Sequence, residues 1–435
     1  MKVAVVGAGL AGVEAVWQLS KFGAEVDLYE MKPVKFSPAH KSACFAELVC
    51  SNSLKAERIN SAAGLLKAEM SKLGSLCVEC AYKTRVPAGG ALAVDRELFS
   101  AMITDRIKSL ANVNIINCEA TSLPEADAVI IAAGPLASEG ISAVIRELCG
   151  DALSFFDAAA PIVSADSVDM NYAFTQSRYD RGGEDDYINC PMNKEQYEAF
   201  YEAIINAESA EVHSFDRRKD VYEGCMPIEV LASRGRDTMR FGPLKPVGLT
   251  DPRTGHRPWA NLQLRKENKE GTMYNLVGFQ TNLRFSEQKR VFSMFPALHS
   301  AEFLRYGVMH RNTFINSPKL LNSDFSLRSN PNIFFAGQIT GVEGYMESAS
   351  SGILAGINAY RRVKGLDTLT LPANTMIGAL SRYISDETVT DFQPMGANFG
   401  VLMPLEEKIR DKSERYTALS ERAARELDSF LKEIK

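Results

Sequence analysis

The chain has 435 residues, 46% hydrophobic and 24% charged, with 30 Gly and 18 Pro, a composition that excludes disordered, collagen-like and disulfide-scaffold classes and leaves room for two or three domains. Its 49 basic and 54 acidic residues give a formal net charge of -5, which excludes a uniformly basic coat but permits a local basic face. Eight cysteines without a secretion pattern read as cytosolic thiols, and no run reaches the ~18 apolar residues of a membrane helix.

Residues 2–30 read as a βαβ start: a strand over Val3–Val6, the turn Gly7-Ala8-Gly9-Leu10-Ala11-Gly12, a helix over Val13–Lys21 and a second strand ending at Glu30. Gly7 permits the tight turn, Gly9 lets backbone approach a pyrophosphate, and Gly12 lets the helix pack closely on the strand. Glu30 stands where a carboxylate can hold the ribose hydroxyls of an adenosine.

Downstream, Cys44 and Cys50 lie six apart, and Cys77 and Cys80 form a single Cys-Val-Glu-Cys with no second pair at metal-ligand spacing, so no metal site is expected. A second apolar strand, Ala128–Ala132, runs into Gly134. A third, Asn332–Ala336, runs into Gly337 and Gln338, then Gly341, Gly344 and Tyr345, ahead of a small-residue helix over Ala349–Val363. This late turn would bring another helix N-terminus to the same ligand. Such recruitment of distant segments favours a flavin over a nicotinamide as the bound group, and no second Gly-x-Gly-x-x-Gly is present for a resident nicotinamide. From Leu371 a helix, an irregular stretch and a charged amphipathic helix over Pro404–Lys435 complete the chain.

Between these halves the text is basic. Residues 213–312 carry 17 Lys and Arg against 10 Asp and Glu, which suits an RNA-facing insert, with Arg284, Lys289 and Arg290 as candidate contacts and Trp259 beside Arg257 as a candidate stacking or packing residue. Cys225 lies in Gly224-Cys225-Met226-Pro227 ahead of a short helix ending near Gly235, where a helix N-terminus with Arg234 and Arg236 would favour its thiolate. His40 follows the second strand and is placed near the cofactor.

The blocks GAGLAGVEA (7–15), FAELVCSNSL (45–54), TRVPAGGALAVDRE (84–97), YEGCMPIEV (222–230), RYGVMHRNTFINSP (305–318), FAGQITGVEGYMESASSGILAGINA (335–359) and QPMGANFG (393–400) closely resemble the folate- and FAD-dependent tRNA uracil-5-methyltransferase family, TrmFO. The resemblance implies an α/β fold, an FAD-binding Rossmann-like domain (1–155 and 320–435, the latter with C-terminal helices) interrupted by an inserted α+β substrate domain facing folate and RNA (156–319). It implies a cytoplasmic enzyme that takes a one-carbon unit from methylenetetrahydrofolate, uses NADH or NADPH as reductant and methylates a T-loop uridine of tRNA. Gly7, Ala8, Gly9, Leu10, Ala11, Gly12, Glu30, Gly134, Gly337, Gln338, Gly341, Gly344 and Tyr345 are then the expected FAD contacts. Cys225 is the expected uracil nucleophile, Cys50 the proton acceptor or second catalytic thiol, and His310 the residue stacked on the pterin. Cys44 departs from the family text and is read as incidental. The same chemistry on ribosomal RNA, a related FAD-dependent tRNA wobble-uridine modification protein, a generic flavin oxidoreductase and an RNA-binding flavoprotein without activity are the alternatives. The YEGCMPIEV text and the short C-terminus oppose the wobble-uridine protein.

Overall fold

A computed structural model describes residues 1–150, 153–181, 183, 186–210, 226–390 and 392–433, with the backbone alone for 153–158, 180, 310 and 311. One six-stranded sheet has the spatial order Ser326–Leu327, Asn330–Phe335, Ala128–Ile131, Lys2–Val6, Glu25–Tyr29, Val113–Ile116. All neighbours pair in parallel except the short first strand. Val3–Val6 and Ala128–Ile131 are buried along their length, as strands covered on both faces must be.

The helix Leu10–Lys21 crosses the helix Tyr345–Val363 with no room for larger side chains. A Cβ on Gly352 would stand 2.0 Å from the Ala11 carbonyl oxygen, and one on Gly356 2.7 Å from that of Ala15. The sequence reading begins both helices too late, at Val13 and Ala349. Gly12 is helical because its close approach to the Gly7 carbonyl and the Ala132 side chain offsets its poor propensity, and Gly344, at φ 123°, is the N-cap of the second helix.

A second six-stranded sheet, wholly antiparallel, has the order Phe174–Thr175, Tyr187–Met192, Ala260–Lys266, Met273–Leu276, Ile162–Ser164, Phe303–Arg305. Helices Lys194–Ile205 and Phe285–Phe292 cover it, and Tyr197, Phe200, Phe279, Phe292 and Phe295 fill its core. The chain enters and leaves this insert on two strands, Leu153–Ala158 and Met309–Phe314, which pair antiparallel with each other. A three-stranded sheet, Ser53–Ala56, Ala91–Val94 and Arg85–Val86, flanks the parallel one. The C-terminal helix spans Lys412–Glu433, shorter at its start than the pattern predicts because the Asp411 carboxylate accepts the Glu414 N–H at 2.8 Å and fixes the first turn there. No helix among the described residues is long and apolar enough to cross a membrane.

Candidate functional site

Three parallel strands end side by side, with Val6 opposite Ile131 and Ile131 opposite Phe335. Their following turns wall a cavity of about 420 Å³, as expected at the carboxyl ends of an open α/β sheet. Gly7 turns the chain at φ 101°, and a Cβ there would lie 2.5 Å from the Ala132 carbonyl oxygen. The helix N-termini at Gly9 and Gly344 carry no side-chain cap; at Gly9 the N–H groups and dipole are available to an anion, while the Glu347 carboxylate stands beside Gly344. Added Cβ atoms on Gly9 and Gly134 would meet no protein atom within 4 Å, which leaves backbone-lined space. The Glu30 carboxylate is fixed at the end of the second strand, accepting the N–H of Ala8 at 2.7 Å and that of Lys32 at 2.9 Å. These features fit a dinucleotide with its pyrophosphate on the glycine turn and its ribose toward Glu30.

Of the expected cofactor contacts, Gly7, Ala8, Gly9, Leu10, Ala11, Glu30, Gly134, Gly337, Gln338, Gly344 and Tyr345 line the cavity. Gly12 and Gly341 do not. Gly12 abuts the Gly7 carbonyl, 1.8 Å from where a Cβ would stand, and Gly341 packs on the Phe392 ring. Both glycines are needed for close packing, a role the spacing cannot distinguish from ligand contact.

Cys50 lines the same cavity, and its segment is held along the backbone. The Tyr345 hydroxyl accepts the N–H of Cys50 at 2.7 Å and of Ser51 at 3.2 Å. Arg96 donates to the carbonyls of Leu48 at 2.9 Å and Cys50 at 3.4 Å, and Arg305 donates to that of Val49. Arg265 donates to Ser51 Oγ at 3.0 Å and, through Nη2, to Asn52 Oδ1 at 2.8 Å. Burial holds the Tyr345 phenol above its ordinary pKa, so at neutral pH it stays a protonated hydroxyl. Burial pulls the Arg265 and Arg305 guanidinium pKa values down, and both stay cationic because an arginine starts far above neutrality.

Lys55 and Glu347 face each other across the wall at 2.7 Å. Glu347 Oε1 also accepts the Ala397 N–H at 2.9 Å, while its buried Oε2 has no hydrogen-bond partner among the described residues. His40 lines the cavity too, its Nδ1 2.6 Å from Ser37 Oγ and its pKa lowered by burial and by Lys32. Arg96, Arg265, Arg305, Lys55 and Glu347 escaped sequence reasoning, although Arg96, Arg305 and Glu347 fall inside the family blocks.

Cys225 lies outside the described residues. Of its expected neighbours, Arg236 pairs with Glu202 at 2.7 Å. His310 is described by backbone alone, opposite Asp157 on the strand whose Asn312 lines the cavity. Cys77 and Cys80 are buried in the helix Leu76–Lys83, and burial raises both thiols, Cys80 to about 11. Neither reaches the cavity, nor does Cys44, whose carbonyl accepts the Lys32 ammonium. Trp259 is 37% exposed, with the Arg240 guanidinium 3.8 Å from its ring centroid.

A profile of the family described as glucose inhibited division protein A matches residues 2–367. The chain is 57% identical over 428 residues, 98% of each chain, to the methylenetetrahydrofolate--tRNA-(uracil-5-)-methyltransferase TrmFO of Acetivibrio thermocellus. It is 54% identical over 429 residues, again 98% of each chain, to the protein of that name from Desulfitobacterium hafniense. Among solved structures it is similar to Aquifex aeolicus GidA, with a TM-score of 0.70 at 15% identity over 98% of this chain and 73% of that one. At that identity the likeness concerns the fold.

Proposed function

The chain belongs to the glucose inhibited division protein A family and, within it, to the TrmFO methyltransferases, and from that premise we propose that it methylates carbon 5 of a uridine in tRNA, with FAD bound and methylenetetrahydrofolate as carbon donor. The observation that carries this reading is the position of Cys50 in the wall of the same cavity as the glycine turn and both uncapped helix N-termini. The turn over Gly7–Ala11 and the N-terminus at Gly344 would hold the cofactor, and Glu30 its ribose. Once bound and reduced, FAD would supply the electrons that take a transferred methylene to a methyl group, and NADH or NADPH is the proposed reductant.

Carbon 5 of uracil is a poor nucleophile until a thiolate adds to carbon 6 and makes the ring an enolate. Cys225 takes that role. Its sulfur bonds to carbon 6, carbon 5 attacks the methylene of the folate, a base removes the carbon 5 proton as the folate nitrogen leaves, and a hydride then adds to the resulting exocyclic methylene as the carbon–sulfur bond breaks and restores the ring. Cys50 is the group we assign to that proton, and the contacts from Tyr345, Arg96, Arg265 and Arg305 fix its backbone while it acts. His310 is assigned to the pterin on the resemblance. The T-loop uridine is the proposed target and the cytoplasm the proposed compartment.

The test supplies the purified protein with methylenetetrahydrofolate labelled in its methylene carbon, reductant and tRNA. Label is expected at carbon 5 of one uridine, and label arriving only from S-adenosylmethionine would sink the reading. Cys225→Ala should keep FAD and RNA but form no covalent RNA adduct, whereas Cys50→Ala should still capture RNA and fail to turn over. Loss of 5-methyluridine confined to ribosomal RNA on deleting the gene would overturn the tRNA target alone.

A further inference from the structure

Three aromatic rings stand in a near-parallel stack at the surface of the insert. Tyr306 lies between Phe285 and Phe303, with centroids 4.9 Å and 5.4 Å away and interplanar angles of 15° and 7°. Phe303 abuts the core of the insert, whereas Phe285, at the other end, is 55% exposed. A stack closed at one end and open at the other presents a face onto which one more flat π-system fits.

The stack is braced by a buried side chain, and residues flanking Tyr306 contact the cavity wall. Gln288, buried in the helix Phe285–Phe292, donates to the carbonyls of Leu283 and Gly307 and accepts the Gly307 N–H at 2.8 Å. The helix bearing Phe285 and the segment bearing Tyr306 are thereby locked together. Arg305, next to Tyr306, is the residue that reaches the Val49 carbonyl beside Cys50. Two residues further on, the Val308 carbonyl accepts the N–H of Ala159, which lines the cavity.

Charge selects the class of partner. Lys289 lies one helical turn from Phe285 on the same exposed face and makes no ion pair among the described residues, while its neighbours Arg284 and Arg290 are paired with Glu208 and Glu287. An open aromatic face with a cation one turn away can stack a base and neutralise its phosphate. The surplus of seven basic residues over 213–312 favours a polyanion over an apolar protein surface.

We propose that Phe285, backed by Tyr306 and Phe303, is the stacking platform for an unpaired base of the RNA substrate, with Lys289 on an adjacent phosphate. This deepens, and rests on, the RNA-methylating reading above. The experiment measures binding of a tRNA transcript to the full-length, flavin-loaded protein at several salt concentrations. Phe285→Ala is expected to raise Kd about tenfold, Phe285→Leu to do the same, and Phe285→Tyr to stay close to wild type. Lys289→Ala should lower the slope of log K against log salt by about one. Flavin reduction by NADPH without RNA should be unchanged in all four variants, which shows that they are folded. Wild-type affinity in Phe285→Ala overturns the platform, as does wild-type affinity in Phe285→Leu, which would make the contact merely apolar. A change of sedimentation mass without a change in RNA affinity also overturns it and makes the face an interface between copies. Wild-type protein that binds tRNA through Phe285 but transfers no carbon leaves the platform standing and removes the methylation reading.

Discussion

Arg96, just past the strand Ala91–Val94, and Glu267, just past the strand Ala260–Lys266 of the antiparallel sheet, form a bidentate ion pair, Nε to Oε2 at 2.7 Å and Nη2 to Oε1 at 3.1 Å. Side-chain exposure is only 14% and 2%. Burial pulls the Arg96 pKa down and Glu267 more than offsets it, so the net shift is upward. Because Arg96 also donates to the carbonyls of Leu48 and Cys50, one side chain joins this ion pair to the backbone of the Cys50 segment. Glu267→Ala leaves that guanidinium buried and unpaired, at a cost of about 3–5 kcal/mol. Urea unfolding should register the loss, together with lower methylation turnover.

Tyr345→Phe removes the acceptor for two N–H groups in the Cys50 segment and leaves the rest of the ring in place. Stranding a buried donor costs about 1–3 kcal/mol, and these half-buried ones fall toward the low end. We expect methylation turnover per bound flavin to fall about tenfold, with RNA affinity unchanged. A variant with wild-type turnover would show that the hydroxyl does not position Cys50.

Gly9 and Gly12 should respond oppositely to the same methyl group. An alanine at Gly9 meets no protein atom within 4 Å, whereas one at Gly12 would place its Cβ 1.8 Å from the Gly7 carbonyl oxygen. Gly9→Ala is therefore expected to keep the melting temperature of the flavin-free protein and lose bound flavin, read as visible absorbance per chain. Gly12→Ala is expected to lower stability and soluble yield whether or not flavin is added.

Glu69 provides a pH test away from the cavity. Its carboxylate is buried and accepts the N–H groups of Met376 at 2.8 Å and Ile377 at 2.9 Å, and burial outweighs both bonds, raising its pKa to about 7. The folded state thus holds a proton that the unfolded state releases near the ordinary carboxylate pKa of ~4.3. The unfolded state binds fewer protons between those values, so stability declines as pH rises through this window and is level above it, by on the order of 3 kcal/mol at most. Glu69→Gln should abolish that decline. Denaturation midpoints of both proteins from pH 4 to pH 8 check it.

The nucleotide cradle was legible because its signals are local. A glycine at Gly7 or Gly9, an apolar strand before it and an acidic residue after the next strand lie within one short stretch of chain. The convergence of Ala128–Ile131 and Asn330–Phe335 on that turn was legible too, from apolar runs that end in glycine. The clamp on Cys50 was not. Arg265 and Arg305 approach from another domain, and a long-range ion pair or carbonyl contact leaves no periodic trace in the text. The packing of Gly341 was not legible for a related reason, since the Phe392 ring that requires its lack of a side chain comes from a distant, irregular segment.

The strand order of the parallel sheet also constrains how the protein can be made. Ala128–Ile131 sits between Lys2–Val6 and Asn330–Phe335, and the whole insert is translated between it and that second neighbour. At roughly 5–20 residues per second, the ribosome leaves one side of a fully apolar strand open for on the order of ten to forty seconds, the kind of edge on which nascent chains pair wrongly. The entering strand Leu153–Ala158 must wait almost as long for its own partner, Met309–Phe314. Synthesis therefore passes through a species whose insert can be complete while its nucleotide sheet is half built, and chaperone demand should fall once residue 335 has cleared the exit tunnel.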